Sequence, residues 1–378
     1  MSSNKSIAVW CTPTAGSTGI GIEVHFNYWR IAPRKIRRHW LWRWLWSIWT
    51  WLRGQKHIAD FIEIGIMFDD VRLVDRLHFF LPMPIKRAAV HDCAPCFENG
   101  QVLQGIFNEQ LTATPPITGP GPLIVRKGRR TAFRMLRFTK ARGQIAASDV
   151  DLQPFARGTL CSITSPALAR CLARSGASKA YVRLRFDIPE GEANPFVEDV
   201  PVYDHMLLSG YDQIEYLDFR LNELRTLPKK VEDRMLADQP AAAVKMKMVA
   251  FLTAIPVSAD LSATNTEFHK MRLLEHDIWS DYAANIPRGM VVYHWKREPE
   301  PHKPIRDFTA FVKLQARVSN RSILFTYLGF ALAFGILGNL AAEWVKDAFV
   351  WFVAGFGKLL HLAGMLLAQT IYPGAPYG

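Results

Sequence analysis

The sequence predicts an α+β fold: a β-rich cytoplasmic region of two sandwich-like or α+β domains, followed by a C-terminal transmembrane helical hairpin. Three observations carry this. Apolar residues alternate with period two in many short runs, the pattern of half-buried strands. The chain is 49% hydrophobic and holds twelve Trp, which excludes a disordered polymer. Ser322–Ala342 and Ala348–Tyr372 are long apolar runs. The first is uncharged and as a helix reaches about 31 Å, the thickness of a bilayer's hydrocarbon core. The expected organisation is a β-rich domain over 1–153, a second over 154–297, a linker and connecting strand over 298–321, and two spans within 322–372.

In chain order, Ile7–Trp10 reads as a short strand. Thr12–Gly21 is glycine-rich, and the residues after it alternate as Ile20, Ile22, Val24, Phe26 and Tyr28 against Glu23, His25 and Asn27. A phosphate-binding loop needs a helix there, so the stretch reads as a turn between strands.

Residues 31–57 form an insertion. Trp40, Trp42, Trp44, Trp46, Trp49 and Trp51 crowd behind Arg34, Lys35, Arg37 and Arg38. Indole rings favour the membrane interface and the cations favour anionic headgroups. The stretch is too short to span, so an in-plane interfacial helix is expected. A strand or a partner-binding surface is the rival reading. Asp60–Phe68 and Arg76–Ile85 resume the strand pattern on either side of a turn.

His91, Cys93 and Cys96 spell H-D-C-A-P-C, which reads as half a zinc site, a redox pair or an ordinary loop with free thiols. Zinc is the one cofactor this motif suggests. The residues after Cys96 do not read as the helix that a redox motif requires. Five cysteines, an odd number, in a cytoplasmic chain argue against a disulfide framework.

The net charge is +12, and it sits in two places. Arg30–His57 and Arg126–Arg142 each hold eight Lys or Arg and no acid. In the second run Arg126, Lys127, Arg129, Arg130, Arg134 and Arg137 form a basic patch interleaved with Phe133, Leu136 and Phe138. It fits anionic lipid or an acidic partner. Nucleic acid, with bases stacked on the phenylalanines, is the less favoured reading.

Beyond residue 154 the strand pattern continues over Tyr181–Ile188, Val244–Val257 and Met290–Trp295, with a helix over Lys229–Ala237. Phe308–Val318 reads as a final strand feeding the first span. Lys303, Arg306, Lys313, Arg317 and Arg321 precede that span. The positive-inside rule therefore places the bulk of the chain in the cytoplasm and, with two crossings, the C-terminus too. No signal-peptide pattern opens the chain, in keeping with that orientation. Glu343, Lys346 and Asp347 interrupt the apolar stretch and read as the hairpin turn. Within the spans, Lys358 and His361 share a helical face, and Ala331, Gly335 and Asn339 form a small-polar stripe that permits close packing. An ionisable intramembrane pair suggests a wet interior in a homo-oligomer.

No Walker loop, nucleophile elbow or kinase signature is present, and the sequence names no catalytic residue. The favoured function is a membrane-anchored sensor or effector, whose β-rich domains bind a protein or small-molecule ligand and whose hairpin assembles in or perturbs the bilayer. The alternatives are a passive tethered scaffold for a protein or anionic-lipid partner, and a membrane-bound enzyme with a dispersed site.

Overall fold

The computed structural model describes residues 5–31, 59–117, 119, 121–173, 178–189, 193–200, 212–239, 243–283, 286–301, 304–317 and 321–371. In chain order the strands are β1 (Ser6–Pro13), β2 (Ile20–Trp29), β3 (Phe61–Phe68), β4 (Val74–Leu81), β5 (Val90–Asp92), β6 (Thr112–Thr114), β7 (Leu123–Lys127), β8 (Arg130–Met135), β9 (Lys140–Ala141), β10 (Gln144–Ile145), β11 (Val150–Phe155), β12 (Gly158–Ile163), β13 (Ala180–Asp187), β14 (Val197–Val200), β15 (Asp212–Leu221), β16 (Val244–Pro256), β17 (Ala259–Thr264), β18 (Lys270–Leu273), β19 (Met290–Arg297) and β20 (Phe308–Arg317). The helices are α1 (Gly100–Phe107), α2 (Ser165–Ala169), α3 (Lys229–Asp238), α4 (His276–Trp279) and α5 (Arg321–Ile371). Residues 1–317 form one compact unit and 318–378 a second.

Within the first unit the strands make two large sheets. The eight-stranded sheet runs β11-β12-β4-β1-β15-β20-β17, with β14 on β15. The ten-stranded sheet runs β18-β19-β16-β2-β3-β13-β8-β7-β6, with β5 on β13. The period-two alternation explains their packing. Ile7, Val9 and Cys11 of β1 and Leu77 and Phe79 of β4 meet Val24 and Phe26 of β2 and Ile62, Ile64 and Ile66 of β3 in one buried core. Two sheets that each carry an apolar face close on one another in this way.

Each sheet is centred on a parallel pair of strands distant in sequence. Ser6 lies beside Arg220 in β1·β15, and Val24 beside Val249 in β2·β16. Both sheets therefore take strands from either side of residue 153, and the boundary expected at 153/154 falls inside β11.

The outer faces are covered too. On the eight-stranded sheet Ala8, Trp10 and Phe80 pack with Val231 of α3, and the Trp10 indole N–H donates to Asp238 at 3.1 Å. On the ten-stranded sheet Trp29, Phe61 and Tyr181 pack under Phe97, Leu103 of α1, Trp279 of α4 and Tyr282. The alternating polar positions of β2, β3 and β13, expected in water, are thus enclosed by a second layer. Helix α1 was not expected. Asn99 starts it by accepting from the Gln101 backbone N–H, and the left-handed Asn108 ends it, the cap residues that such ends favour.

The second unit corrects the sequence reading. It is one continuous α-helix of 51 residues and not a hairpin of two. Tyr327–Leu367 is long and apolar enough to cross a membrane, with a mean hydropathy of 1.6 over its apolar window. The physical reason lies in the interruption. Glu343-Trp344-Val345-Lys346-Asp347 holds no Gly, Pro or Asn to reverse the chain, and Glu and Lys are good helix formers. Charge alone does not stop a helix.

Candidate functional site

The site is built on the covered face of the ten-stranded sheet, where β13 meets two different neighbours along one edge. β8 runs parallel to it at Ala180 and Tyr181, and β5 runs antiparallel to it at Leu184–Phe186. β5 leads into a 3-10 turn over Ala94–Glu98, and β9 and β10 form a tight hairpin nearby. Both residues of that hairpin's turn, Arg142 and Gly143, have positive φ, as a two-residue turn with the twist of its strands requires. These elements border a polar, partly open cavity of about 240 Å³ lined by Val90, His91, Asp92, Cys93, Cys96, Lys140, Gly143, Ile145 and Arg185.

A buried ion cluster stands behind the cavity wall. Arg185 lies opposite Glu63 in the β3·β13 ladder. Glu63 is fully buried and accepts from Arg183 Nη2 at 2.6 Å, Arg185 Nε at 2.9 Å and the Tyr282 hydroxyl at 2.7 Å. Burial alone would raise its pKa, yet Arg183 and Arg185 hold the carboxyl below the usual range. Arg183 also donates to the Tyr181 hydroxyl at 2.9 Å. The Arg185 guanidinium lies 4.3 Å from the Phe61 ring centre and donates to the Tyr282 carbonyl at 2.9 Å. Gly65 lets the Tyr181 phenol approach the strand, and a Cβ at that position would collide with it.

His91, Cys93 and Cys96 all reach the cavity, but they turn to different partners. His91 Nε2 is 2.7 Å from Asp187. The Cys93 thiol donates to Glu63 at 4.0 Å, and that of Cys96 to the Tyr282 carbonyl at 3.9 Å. Burial raises the pKa of both thiols. Among the described residues no group of three or more His, Cys, Asp or Glu side chains is placed to hold a metal ion. Asp92 instead accepts from the backbone N–H of Ala94 and of Phe138, each at 2.9 Å, tying the turn to the segment before β9. Burial pushes its carboxyl up to about 6, against these hydrogen bonds and the nearby Lys140 and Arg137.

The Trp-rich insertion, with Arg34, Lys35, Arg37, Arg38, Trp40, Trp42, Trp44, Trp46, Trp49 and Trp51, lies outside the described residues. The described residues on either side of it are tied to the sandwich. Arg30 pairs with Asp60 at 2.8 Å and Glu215 at 3.0 Å, and Asp60 accepts from the Ile31 backbone N–H at 2.9 Å.

In the basic patch, Arg126, Lys127, Arg129 and Arg130 are exposed at the tip of the β7–β8 hairpin, while Arg134 and Arg137 are half-buried. Lys127 pairs with Glu109 and Arg137 lies 3.5 Å from Glu98. Phe133, Leu136 and Phe138 are buried, which leaves no aromatic platform in this run for stacking bases. Ala331, Gly335, Asn339, Lys358 and His361 all lie exposed on α5.

Sequence reasoning found His91, Cys93 and Cys96 but missed Glu63, Arg183, Arg185 and Lys140. The available signal was a carboxylate in the middle of the apolar strand β3.

Compared with known proteins, the chain matches no family model and no curated protein.

Proposed function

We propose that this chain is a membrane-anchored ligand-binding protein, a sensor or effector in which α5 enters the bilayer and the β-sandwich carries a small-molecule cavity. The observation that carries the reading is the exposure of α5. From Tyr327 to Leu367 no residue is buried, and Leu332, Phe334, Trp344, Trp351 and Leu359 are each more than two-thirds exposed. A long helix that exposes this many large apolar side chains needs an apolar surrounding. The apolar segment is about 61 Å long, twice the thickness of one hydrocarbon core. The stripe of Ala331, Gly335 and Asn339 favours self-association.

The basic residues ahead of the helix favour a cytoplasmic sandwich. The exposed β7–β8 tip suits an anionic lipid surface. The polar cavity beside Arg185 favours ligand binding over a passive scaffold.

Alkaline carbonate extraction tests the anchor. The full chain stays with the membrane pellet, and a chain ending at Arg317 passes to the supernatant. Release of the full chain by carbonate would reject the anchor.

A further inference from the structure

We propose that the cavity beside Arg185 and Lys140 binds a small anion through a phosphate or carboxylate group. This rests on the ligand-binding reading above and names the ligand's chemical class.

The argument begins with charge. Arg183 and Arg185 share the single carboxylate of Glu63. Arg185 spends Nε on Glu63 and Nη2 on the Tyr282 carbonyl, while its Nη1 has no hydrogen-bond partner among the described residues. This side chain is 15% exposed and lines the cavity. Lys140 also lines the cavity, is exposed, and forms no ion pair among the described residues.

The negative groups nearby are already engaged. Both oxygens of Asp92 accept backbone N–H groups, and Asp187 is taken by His91. Among the described residues, Arg185 Nη1 and the Lys140 ammonium thus remain at the cavity as cationic donors without a hydrogen-bond or ion-pair partner. A guanidinium edge with free N–H groups suits a carboxylate or phosphate oxygen, and an ammonium adds a second donor.

Size narrows the class further. At about 240 Å³ the cavity falls below the roughly 300–1,000 Å³ of sites for drug-sized ligands. It suits a headgroup-sized molecule carrying one phosphate or carboxylate.

Isothermal titration calorimetry on the full chain in neutral detergent and phosphate-free buffer tests this, with glycerol 3-phosphate against glycerol. Glycerol 3-phosphate is expected to bind at least about ten-fold more tightly, the scale of a charge-assisted hydrogen bond. Arg185→Gln abolishes that preference. Lys140→Gln, an exposed change that leaves the buried cluster intact, weakens it about three-fold. Equal affinity for the two probes, or an unchanged Lys140→Gln, would overturn the proposal.

Alkylation of Cys96 separates the two readings. Protection by a neutral small molecule, with no preference for the phosphate, keeps the ligand-binding reading and removes the anion class. No protection by either kind of molecule removes both. Nanodiscs of phosphatidic acid or of phosphatidylcholine then distinguish the sources. Displacement of glycerol 3-phosphate by phosphatidic acid alone identifies a lipid headgroup, and undiminished binding identifies a free anion.

Discussion

The sandwich and the C-terminal helix are built from the same apolar residue types and satisfy them by opposite means. In the sandwich Ile62, Ile64, Ile66 and Phe68 are 0% exposed, closed over by strands from distant parts of the chain. In the helix Trp344 is 80% and Trp351 83% exposed. Alternation with period two turns one face toward a partner that the chain itself supplies. Apolar residues around the whole circumference have no such face and call for an apolar medium. The lesson is that the pattern of hydrophobicity, more than its amount, decides whether a segment completes itself or depends on its surroundings.

The comparison breaks most sharply at Glu63. Replacing it with Gln leaves Arg183 and Arg185 buried without their counter-charge, a loss of about 3–5 kcal/mol. Chemical denaturation should register this fully in the sandwich, while carbonate extraction of the same variant stays unchanged.

Acid tests the same independence at His78. This side chain is 2% exposed, stacks on Trp10 with ring centres 5.1 Å apart and lies 2.8 Å from the Ser162 hydroxyl. Burial, outweighing nearby Asp238, lowers its pKa from 6.5 to about 4. The neutral imidazole is the folded form, so its stabilisation is complete above pH 6.5 and is lost as pH falls toward 4. Its size is about 3 kcal/mol. His78→Gln should flatten that part of the pH–stability curve.

The smallest effect is expected at Gly65. Gly65→Ala pushes the Tyr181 phenol away and should cost about 1–3 kcal/mol of sandwich stability. Denaturation midpoints of variant and parent check it.

Much of the sandwich was legible because alternation is local. Strands β2, β3, β13 and β20 fall where Ile22, Ile62, Val182 and Val312 stand beside Glu23, Glu63, Arg183 and Lys313. Their pairing was not legible. β2 lies beside β16 and β1 beside β15 across some two hundred residues, and nothing in either strand marks its partner. The hairpin expectation failed because Glu343, Lys346 and Asp347 were read as a turn on charge alone, without a residue that turns a backbone.

The candidate cavity was half legible. The H-D-C-A-P-C motif marks one wall, whereas Arg183 and Arg185 alternate with Val182, Leu184 and Phe186 as the polar face of any half-buried strand does. Only the second layer, with α1 and Tyr282, encloses them. That layer begins at Asn99, a cap with no apolar period long enough to announce a helix.

The central proposal is that α5 enters the bilayer as a single helix that crosses it once. Reporter domains fused in turn to the two ends of the full chain, and scored for the side of the membrane they occupy, test it most directly. One crossing places the N-terminal reporter in the cytoplasm and the C-terminal reporter on the opposite side. Both reporters on the same side would contradict the account.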